Sequence, residues 1–290
     1  MQTVPYPPSD AKSKPNKAKE LRARIDGSLA TLANAVDEVR ASEAFVAYLD
    51  MQSKFHRYSW HNCMLIAMQC PTASQVAGFR QWKKLGRFVR KGQKAIAIIA
   101  PCTYKRKAER DDEADETGVY FRAVSVFDVA QTDGPDLPSV DVPTLDGSAD
   151  DLLAKLVSVA VSRKIQVVFG PIPGGVFGLS KGGTIDIDDQ HATGQQAKTL
   201  AHELAHEALH KADNRPKGLT RSLAELEAES VAYVVGTHFG LDSEVRSSRY
   251  SALWDGDSKA LKSSLERIAT TARTIIDDLE ALDSRKGVAA

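Results

Sequence analysis

Residues 199–210 read Thr199-Leu200-Ala201-His202-Glu203-Leu204-Ala205-His206-Glu207-Ala208-Leu209-His210. Their small and medium-sized apolar side chains predict a helix enclosed by other elements, because a solvated helix carries polar residues around most of its circumference. On this helix His202 and His206 are one turn apart, so both imidazoles lie on one face and can reach the same metal ion. Glu203 follows the first histidine and is placed to act as a general base. The spacing therefore predicts a zinc site of the His-Glu-x-x-His type.

A second predicted helix, over residues 222–233, supplies candidates for the third ligand. Glu225 and Glu229 are one turn apart and share a face, whereas Glu227 points elsewhere. This pattern suits zinc peptidases in which one glutamate binds the ion and an acid one turn later hydrogen-bonds a ligand histidine. We expect Glu225 to bind the metal and Glu229 to support a histidine; the exchange of these two roles stays open.

Length and composition set broad limits. A chain of 290 residues has room for two domains, each with its own core. Its 38 basic residues balance its 38 acidic residues, so net charge by itself gives no sign of a nucleic-acid partner. Three cysteines (Cys63, Cys70 and Cys102) without metal-binding spacing suit a reducing compartment. Since the chain has neither a membrane-length apolar run nor a signal-peptide core, we expect a cytoplasmic protein without a membrane partner.

One stretch concentrates positive charge. From Arg80 to Lys94 there are seven basic residues and no acid, interleaved with Trp82 and Phe88 and preceded by Phe79. Cations that follow a phosphate backbone and rings that stack on unpaired bases are what a binder of single-stranded nucleic acid needs. The alternative is a solvated basic face whose aromatic residues belong to the core.

The N-terminal part is predicted to be α+β. Residues 1–17 have almost nothing to bury and are expected to form a disordered leader. Apolar residues at helical spacing predict helices over 21–39 and 45–51, and a third helix starts after the cap residue Ser59 and ends before Pro71. Strands are expected at residues 95–100 and 119–127, joined by a charged hairpin loop.

Residues 134–149 are rich in Pro, Asp and Ser and are expected to be a linker. After it we expect a helix, a small sheet, the two ligand helices, a packed pair of C-terminal helices and a flexible tail over 285–290. A strand of this sheet, within residues 174–187, could line a peptide cleft in which substrate adds as a further strand. The predicted fold class is α+β, with an N-terminal α+β domain and a mostly helical C-terminal domain that has a small β-sheet.

Several segments resemble ArdC-type antirestriction proteins. Residues 58–62 and 79–94 look like the single-stranded-DNA-binding domain of that family, and residues 127–132 resemble its closing segment. Residues 202–206 together with 224–229 are similar to its zinc metallopeptidase half and to the ImmA/IrrE metallopeptidases. The occurrence of both sets in one chain is more specific than either set alone.

The resemblance implies a single-stranded-DNA-binding domain over residues 18–133 and a metallopeptidase domain over 150–284. One Zn²⁺ is expected per chain, held by His202, His206 and Glu225, with Glu203 taking the proton of the attacking water. The DNA partner would be contacted by Tyr58, Trp60, Asn62, Arg80, Gln81, Trp82, Lys83, Lys84, Arg87, Arg90, Lys91 and Lys94.

Three functions are compatible with this sequence. The first is protection of incoming mobile-element DNA, coupled to hydrolysis of an unknown protein substrate recruited near the strand. The second is protection of DNA without catalysis, in which zinc only stabilises the fold. The third is an ImmA/IrrE-like peptidase that cleaves a regulatory protein and does not need the basic residues.

Overall fold

The computed structural model describes residues 17–34, 38–106, 116–137, 149–211, 215–241 and 257–286. The chain opens with three helices, α1 (Lys17–Ala33), α2 (Glu38–Lys54) and α3 (Trp60–Gln69). Ser59 caps α3 as the sequence predicted, because its hydroxyl accepts a hydrogen bond from the Asn62 backbone N–H. The helix stops two residues before Pro71, which cannot continue it.

Two small antiparallel sheets complete the N-terminal part. Its elements after α3 are β1 (Val76–Gly78), α4 (Phe79–Lys84), β2 (Phe88–Val89), β3 (Ile96–Arg106), β4 (Glu116–Asp128) and β5 (Thr132–Asp133). One sheet has the order β1-β4-β3 and the other pairs β2 with β5. The two strands predicted from the sequence are thus present and longer than expected. Most of the predicted hairpin loop lies outside the described residues.

Side-chain amides of α3 satisfy the outer edge of β3. The Asn62 amide exchanges two hydrogen bonds of 2.9 Å with the backbone of Ile99. Gln69 does the same with the backbone of Ala97, at 2.8 and 3.0 Å. An edge strand otherwise presents unpaired backbone groups, so this contact fixes α3 on the sheet and blocks that edge.

The C-terminal part is mostly helical. Its elements are α5 (Ala149–Ser162), β6 (Gln166–Phe169), β7 (Gly178–Ser180), β8 (Thr184–Ile187), α6 (Thr193–Leu209), α7 (Arg221–His238) and α8 (Ser258–Lys286). The sheet order is β6-β8-β7, with β6 parallel and β7 antiparallel to β8. Strand β7 is therefore at an edge of this sheet.

At the end of the chain, the sequence predicted a packed pair of helices. The described residues include one long helix there, α8, and residues 242–256, just before it, lie outside the described residues. Apolar residues recur at helical spacing from Leu261 to Leu279 and no Gly or Pro interrupts them, so the helix continues. Tyr250 and Trp254, which precede α8 in the sequence, are among the residues that the structure does not describe, so the expected pair stays a prediction.

The two parts pack directly on each other. Helix α2 contacts α7, and α1 contacts α8. Buried apolar residues of both parts belong to one continuous cluster, whereas the sequence suggested a separate core for each domain. Polar contacts cross the same boundary, including a 2.7 Å ion pair between Arg57 and Glu280.

None of the helices in the described residues contains a segment that is both long and apolar enough to cross a bilayer. The described residues leave out 1–16 of the expected leader, 138–148 of the expected linker and 287–290 of the expected tail. Lys17 already belongs to α1, and Arg285 and Lys286 belong to α8. The domain limits given above therefore stay proposals.

Candidate metal centre

Three donor atoms from two helices converge beside α6. Helix α6 supplies Nε2 of His202 and Nε2 of His206, which are 3.0 Å apart. Helix α7 supplies Oε2 of Glu225, which lies 3.5 Å from the first nitrogen and 3.4 Å from the second. Tetrahedral bonds of about 2.0–2.1 Å require donor atoms roughly 3.3 Å apart. The triangle fits one divalent ion and leaves a fourth position for another ligand.

Packing and capping place these side chains. The opposite face of α6 is buried, through Ala197, Leu200, Ala201 and Leu204, which turns His202 and His206 toward the cleft. At the start of α7 the Thr220 hydroxyl accepts a hydrogen bond from the Leu223 backbone N–H, which fixes the turn that carries Glu225.

Glu229 lies on the other side of His202. Its Oε2 is 3.5 Å from Nδ1 of His202, and its Oε1 is 3.0 Å from Nζ of Lys198. Burial would raise the pKa of Glu229, but His202 and Lys198 outweigh burial and lower it. An anionic Glu229 can orient His202 with Nε2 toward the ion. This geometry supports Glu225 as the ligand and Glu229 as the orienting acid, an assignment that we keep as a proposal.

A chain of hydrogen-bonded side chains behind His206 was missed by the sequence analysis. Nδ1 of His206 is 3.0 Å from Nδ1 of His210, and Nε2 of His210 is 3.1 Å from Oε2 of Glu227. If Nε2 of His206 faces the ion, its Nδ1–H donates to His210, whose Nε2–H then donates to Glu227. The fully buried Glu227 also accepts hydrogen bonds from Ser264 and Arg267 of α8.

Glu203 is buried beside the two histidines, with 8% of its surface exposed. Burial raises the pKa of Glu203 above its ordinary value, and His202, His206 and the Ser180 backbone offset this rise only in part. A carboxyl group with a raised pKa accepts a proton more readily than an ordinary glutamate does. Glu203 thus lies beside the two histidines as the sequence predicted, and its role as a general base stays a proposal.

A cleft of about 750 Å³ opens over these residues and is bordered by β7. Gly178 lets this strand approach α6, because a Cβ atom there would be 2.5 Å from Cγ2 of Thr199. Glu207 holds the turn after β7 by accepting hydrogen bonds from the Ser180 hydroxyl and the backbone of Gly182 and Gly183. The cleft thus has the triangle of donor atoms on its floor and an edge strand along one wall.

Four of the expected DNA contacts have roles inside the fold, which corrects the sequence-based expectation. The indole N–H of Trp60 donates to Glu266, and that of Trp82 donates to the Phe127 carbonyl. The side-chain amide of Asn62 already makes two hydrogen bonds with the backbone of Ile99 in β3. The buried Arg87 donates to Thr132 and to the Gly134 carbonyl. Sequence pattern does not show which aromatic and cationic side chains a fold encloses, so these four were misassigned.

The other expected contacts keep surface positions, except that Tyr58 is half-buried against the core. Exposed side chains are those of Arg80, Gln81, Lys83, Lys84, Arg90, Lys91 and Lys94. Arg90 forms an ion pair of 3.1 Å with Asp133. Phe79 and Phe88 lie in the same segment, and 56% and 58% of their surfaces are exposed. Their rings are therefore accessible for stacking, whereas the rings of Trp60 and Trp82 are buried.

Two family models match separate segments of the chain. Residues 16–127 match the family model of the N-terminal domain of anti-restriction factor ArdC. Residues 163–244 match the IrrE N-terminal-like domain of the Peptidase M78 family. The molecule is thus a two-domain α+β protein that joins an ArdC N-terminal domain to a domain of metallopeptidase type. The two matches together support an ArdC-type antirestriction protein.

Solved structures share the fold. The metal-free crystal structure of antirestriction ArdC from plasmid R388 has a TM-score of 0.51 at 22% identity, over 77% of this chain and 84% of that one. The Mn(II)-bound structure of the same protein gives 0.50 at 20% identity, over 91% and 97%. An uncharacterized protein of Bacillus anthracis is 23% identical over 95% of this chain but 53% of its own length. The chain thus spans about half of that curated relative.

Proposed function

We propose that this protein is an antirestriction factor that binds single-stranded DNA through its N-terminal domain and hydrolyses peptide bonds in its C-terminal domain. The observation that carries the hydrolytic part is the triangle of donor atoms 3.0–3.5 Å apart, with buried Glu203 beside it on the floor of an open cleft. Protection of incoming DNA in the cytoplasm is the role that the family suggests.

The donor set supports a divalent cation. Two imidazoles and one carboxylate are the ligands of many catalytic zinc sites, which keep a fourth position open. The R388 relative has been crystallised with Mn(II), so a related protein takes a divalent metal, and we favour Zn²⁺ here for its affinity for imidazole. When bound, such an ion polarises a carbonyl and makes water more acidic.

The chain's own residues would carry the remaining work. Glu203 would take the proton of the attacking water and deliver it to the leaving amine. The exposed edge of β7 would bind the substrate backbone as an additional strand, which aligns a peptide along the cleft without demanding one sequence. Glu229 and His210 would hold the two ligand imidazoles in orientation.

The N-terminal part would bind DNA with a surface that has both features of a single-strand site. Exposed Lys83, Lys84 and Lys91 offer cations for phosphates, and the rings of Phe79 and Phe88 are open for stacking. Binding of this kind needs no base sequence, which suits the protection of arbitrary incoming DNA.

Glu203→Gln tests the hydrolytic part, because it removes the base and leaves the three metal ligands. We expect Zn²⁺ content to be unchanged and kcat/KM on fluorescently labelled unfolded casein to fall about 10²–10⁴-fold. Glu20→Gln, an exposed change on α1, is the matched control and should keep full activity. The absence of casein cleavage by the wild-type protein loaded with Zn²⁺ or Mn²⁺ would refute the peptidase assignment. If Glu203→Gln still protects DNA, the protein protects without proteolysis.

Lys83→Ala/Lys84→Ala tests the DNA part. A plot of log affinity against log salt concentration has a negative slope. Each lost phosphate contact should make this slope less steep by about 0.7, so binding weakens and depends less on salt. Lys259→Ala/Lys262→Ala removes two exposed cations of α8 and is the control. Equal binding of oligo(dT) by both double variants would favour a peptidase of the ImmA/IrrE kind, which does not use this surface.

A further inference from the structure

A second group of metal-ligating side chains lies where the two parts of the molecule meet. His56 follows the end of α2, His238 is the last residue of α7, and Glu280 lies on α8. One donor atom from each of the three lies within 4.8 Å of the other two. The proposed peptidase uses none of these residues.

The donor atoms are close to coordination distance. Oε1 of Glu280 is 3.4 Å from Nε2 of His238 and 3.8 Å from Nε2 of His56. The two imidazole rings are 4.6 Å apart between centroids and inclined by 73°. A tetrahedral ion with bonds of about 2.0–2.1 Å needs donors roughly 3.3 Å apart. Small side-chain rotations would bring both nitrogens and the carboxylate oxygen onto one ion.

The tautomer of His238 suits a ligand. Its Nδ1 lies 2.8 Å from the Ser53 carbonyl oxygen, which can only accept, so Nδ1 carries the proton. Nε2 then presents its lone pair toward Glu280. A backbone carbonyl on the second ring nitrogen is the arrangement that orients metal-binding histidines.

His56 is a buried imidazole that lacks hydrogen bonds. Its side chain is 9% exposed, and within the described residues neither of its ring nitrogens has a hydrogen-bond partner, nor does Nε2 of His238. Buried polar atoms in native proteins are almost always hydrogen-bonded or otherwise paired. The unpaired Nε2 atoms of His56 and His238 are therefore consistent with binding to an ion between them.

The surrounding charges leave room for a cation. Arg57 pairs with Oε2 of Glu280 at 2.7 Å and approaches Asp277 at 4.0 Å. Arg273 approaches the same aspartate at 3.5 Å. Both Nε2 atoms approach Oε1 of Glu280, whereas Arg57 pairs with Oε2. Oδ1 of Asp277 is 3.9 Å from Nε2 of His56. Two imidazoles and one carboxylate, with a second carboxylate in reach, favour zinc, cobalt or nickel over calcium or magnesium.

We propose that His56, His238 and Glu280 form a second, structural site for a divalent transition metal, which fastens the N-terminal helices to α7 and α8. This site is independent of the peptidase proposal, since none of its three residues lines the cleft over His202 and His206. Its ligands come from both parts of the chain, so an ion there would stabilise the contact between them.

The test isolates this site in the full chain. His202→Asn/His206→Asn removes the histidine ligands of the candidate metal centre, and the remaining site is titrated with Co²⁺ by visible absorption. We expect one equivalent of Co²⁺ to bind with a tetrahedral spectrum. Adding His56→Gln should weaken this binding by more than the about 10–100-fold that loss of an outer hydrogen-bonding partner costs. Glu280→Gln, which keeps the side-chain shape, should weaken it as well.

The control is His61→Gln in the same background. His61 is a partly buried histidine of the same part of the chain, stacked on Trp60, and its loss should leave Co²⁺ binding unchanged. Circular dichroism establishes that each variant is folded. A folded background protein that binds no Co²⁺, or a folded His56→Gln variant that binds it unchanged, would overturn the proposal.

Discussion

At the scale of single residues, Glu227 is a buried carboxylate that needs polar partners in the C-terminal domain. It is fully buried, and it connects His210 behind the metal centre to Arg267 and Ser264 on α8. A buried charge is tolerated only when it is paired and hydrogen-bonded. This carboxylate therefore links the orientation of His206, through His210, to the packing of α8.

We expect Glu227→Gln to lower the free energy of unfolding at pH 7 by about 2–3 kcal/mol. This is at or below the usual cost of breaking a fully buried pair, because the Arg267 side chain is 25% exposed. Urea denaturation measures the change, and Glu20→Gln is the surface control. A loss no larger than that of the control would show that the buried pair contributes nothing.

Glu227→Gln should also show how the contribution of Glu227 to the free energy of unfolding depends on pH. Burial would raise the pKa of Glu227, but hydrogen bonds from His210, Arg267 and Ser264 outweigh it and hold the pKa below 4.5. The stabilisation is therefore complete above pH 4.5 and is lost as the pH falls through the lower folded-state value. The gap between wild type and Glu227→Gln should narrow in urea titrations below pH 4.5. A gap that widens there would contradict this sign.

Some of the site could be read from the sequence because covalent spacing determines it. His202 and His206 are one turn apart in any helix, and so are Glu225 and Glu229. Arg267 could not be assigned, since it comes from a helix 40 residues after Glu227 and only tertiary packing brings the two together. Trp82 and Arg87 show the opposite error, because a pattern of aromatic and basic residues does not indicate which side chains the fold encloses.

At the scale of elements, the contact between β7 and α6 shapes the cleft. We expect Gly178→Ala to destabilise the protein by about 1–3 kcal/mol, the usual cost of forcing an extra group into a packed site. The added methyl would lie 2.5 Å from Cγ2 of Thr199 and 3.3 Å from Cγ of Glu203. Thermal or urea denaturation checks this. Gly170→Ala is the control, since a Cβ atom there meets nothing within 4 Å.

Thr199→Ser should recover much of that loss when combined with Gly178→Ala. It removes Cγ2 and keeps the hydroxyl oxygen that accepts a hydrogen bond from Gln195. The four proteins of this double-mutant cycle give the coupling energy directly. Additive effects would mean that the clash with Thr199 is not the cause.

Elements with strong periodicity or clear caps were predictable, including α3 with its Ser59 cap and the strands β3 and β4. The expected partner helix of α8 stays a prediction, because residues 242–256 lie outside the described residues. The side-chain amides that cover β3 were out of reach of sequence reasoning. Asn62 and Gln69 lie 37 and 28 residues before their backbone partners.

At the scale of the whole molecule, the continuous core implies that the two domains share stability. Apolar residues from α1 and α2 belong to the same buried cluster as those of α7 and α8. The hydroxyl of Tyr233 hydrogen-bonds Asp50, and His238 donates to the Ser53 carbonyl, so polar contacts reinforce the same boundary. Metal bound in the C-terminal domain should therefore stabilise the N-terminal domain as well.

Tryptophan fluorescence can test this coupling. In a Trp254→Phe variant only Trp60 and Trp82 report, and Trp82 is buried within the N-terminal domain. His56→Gln is included so that Zn²⁺ acts only through His202, His206 and Glu225. A ligand at about 100 times its Kd adds about 2.7 kcal/mol of stability. For a chain of this size we expect the fluorescence midpoint to rise by about 5 °C in a single transition.

The added His202→Asn variant is the control and should remove the shift while leaving one transition. The reason for the expected shift is cooperativity: a domain whose apolar face is covered by its neighbour loses that burial when the neighbour unfolds. Two separate transitions, with the Trp82 signal unmoved by Zn²⁺, would show that the domains unfold independently. The domains would then touch through the shared core without stabilising each other. In that case DNA bound to the N-terminal domain could not affect the C-terminal domain through this interface.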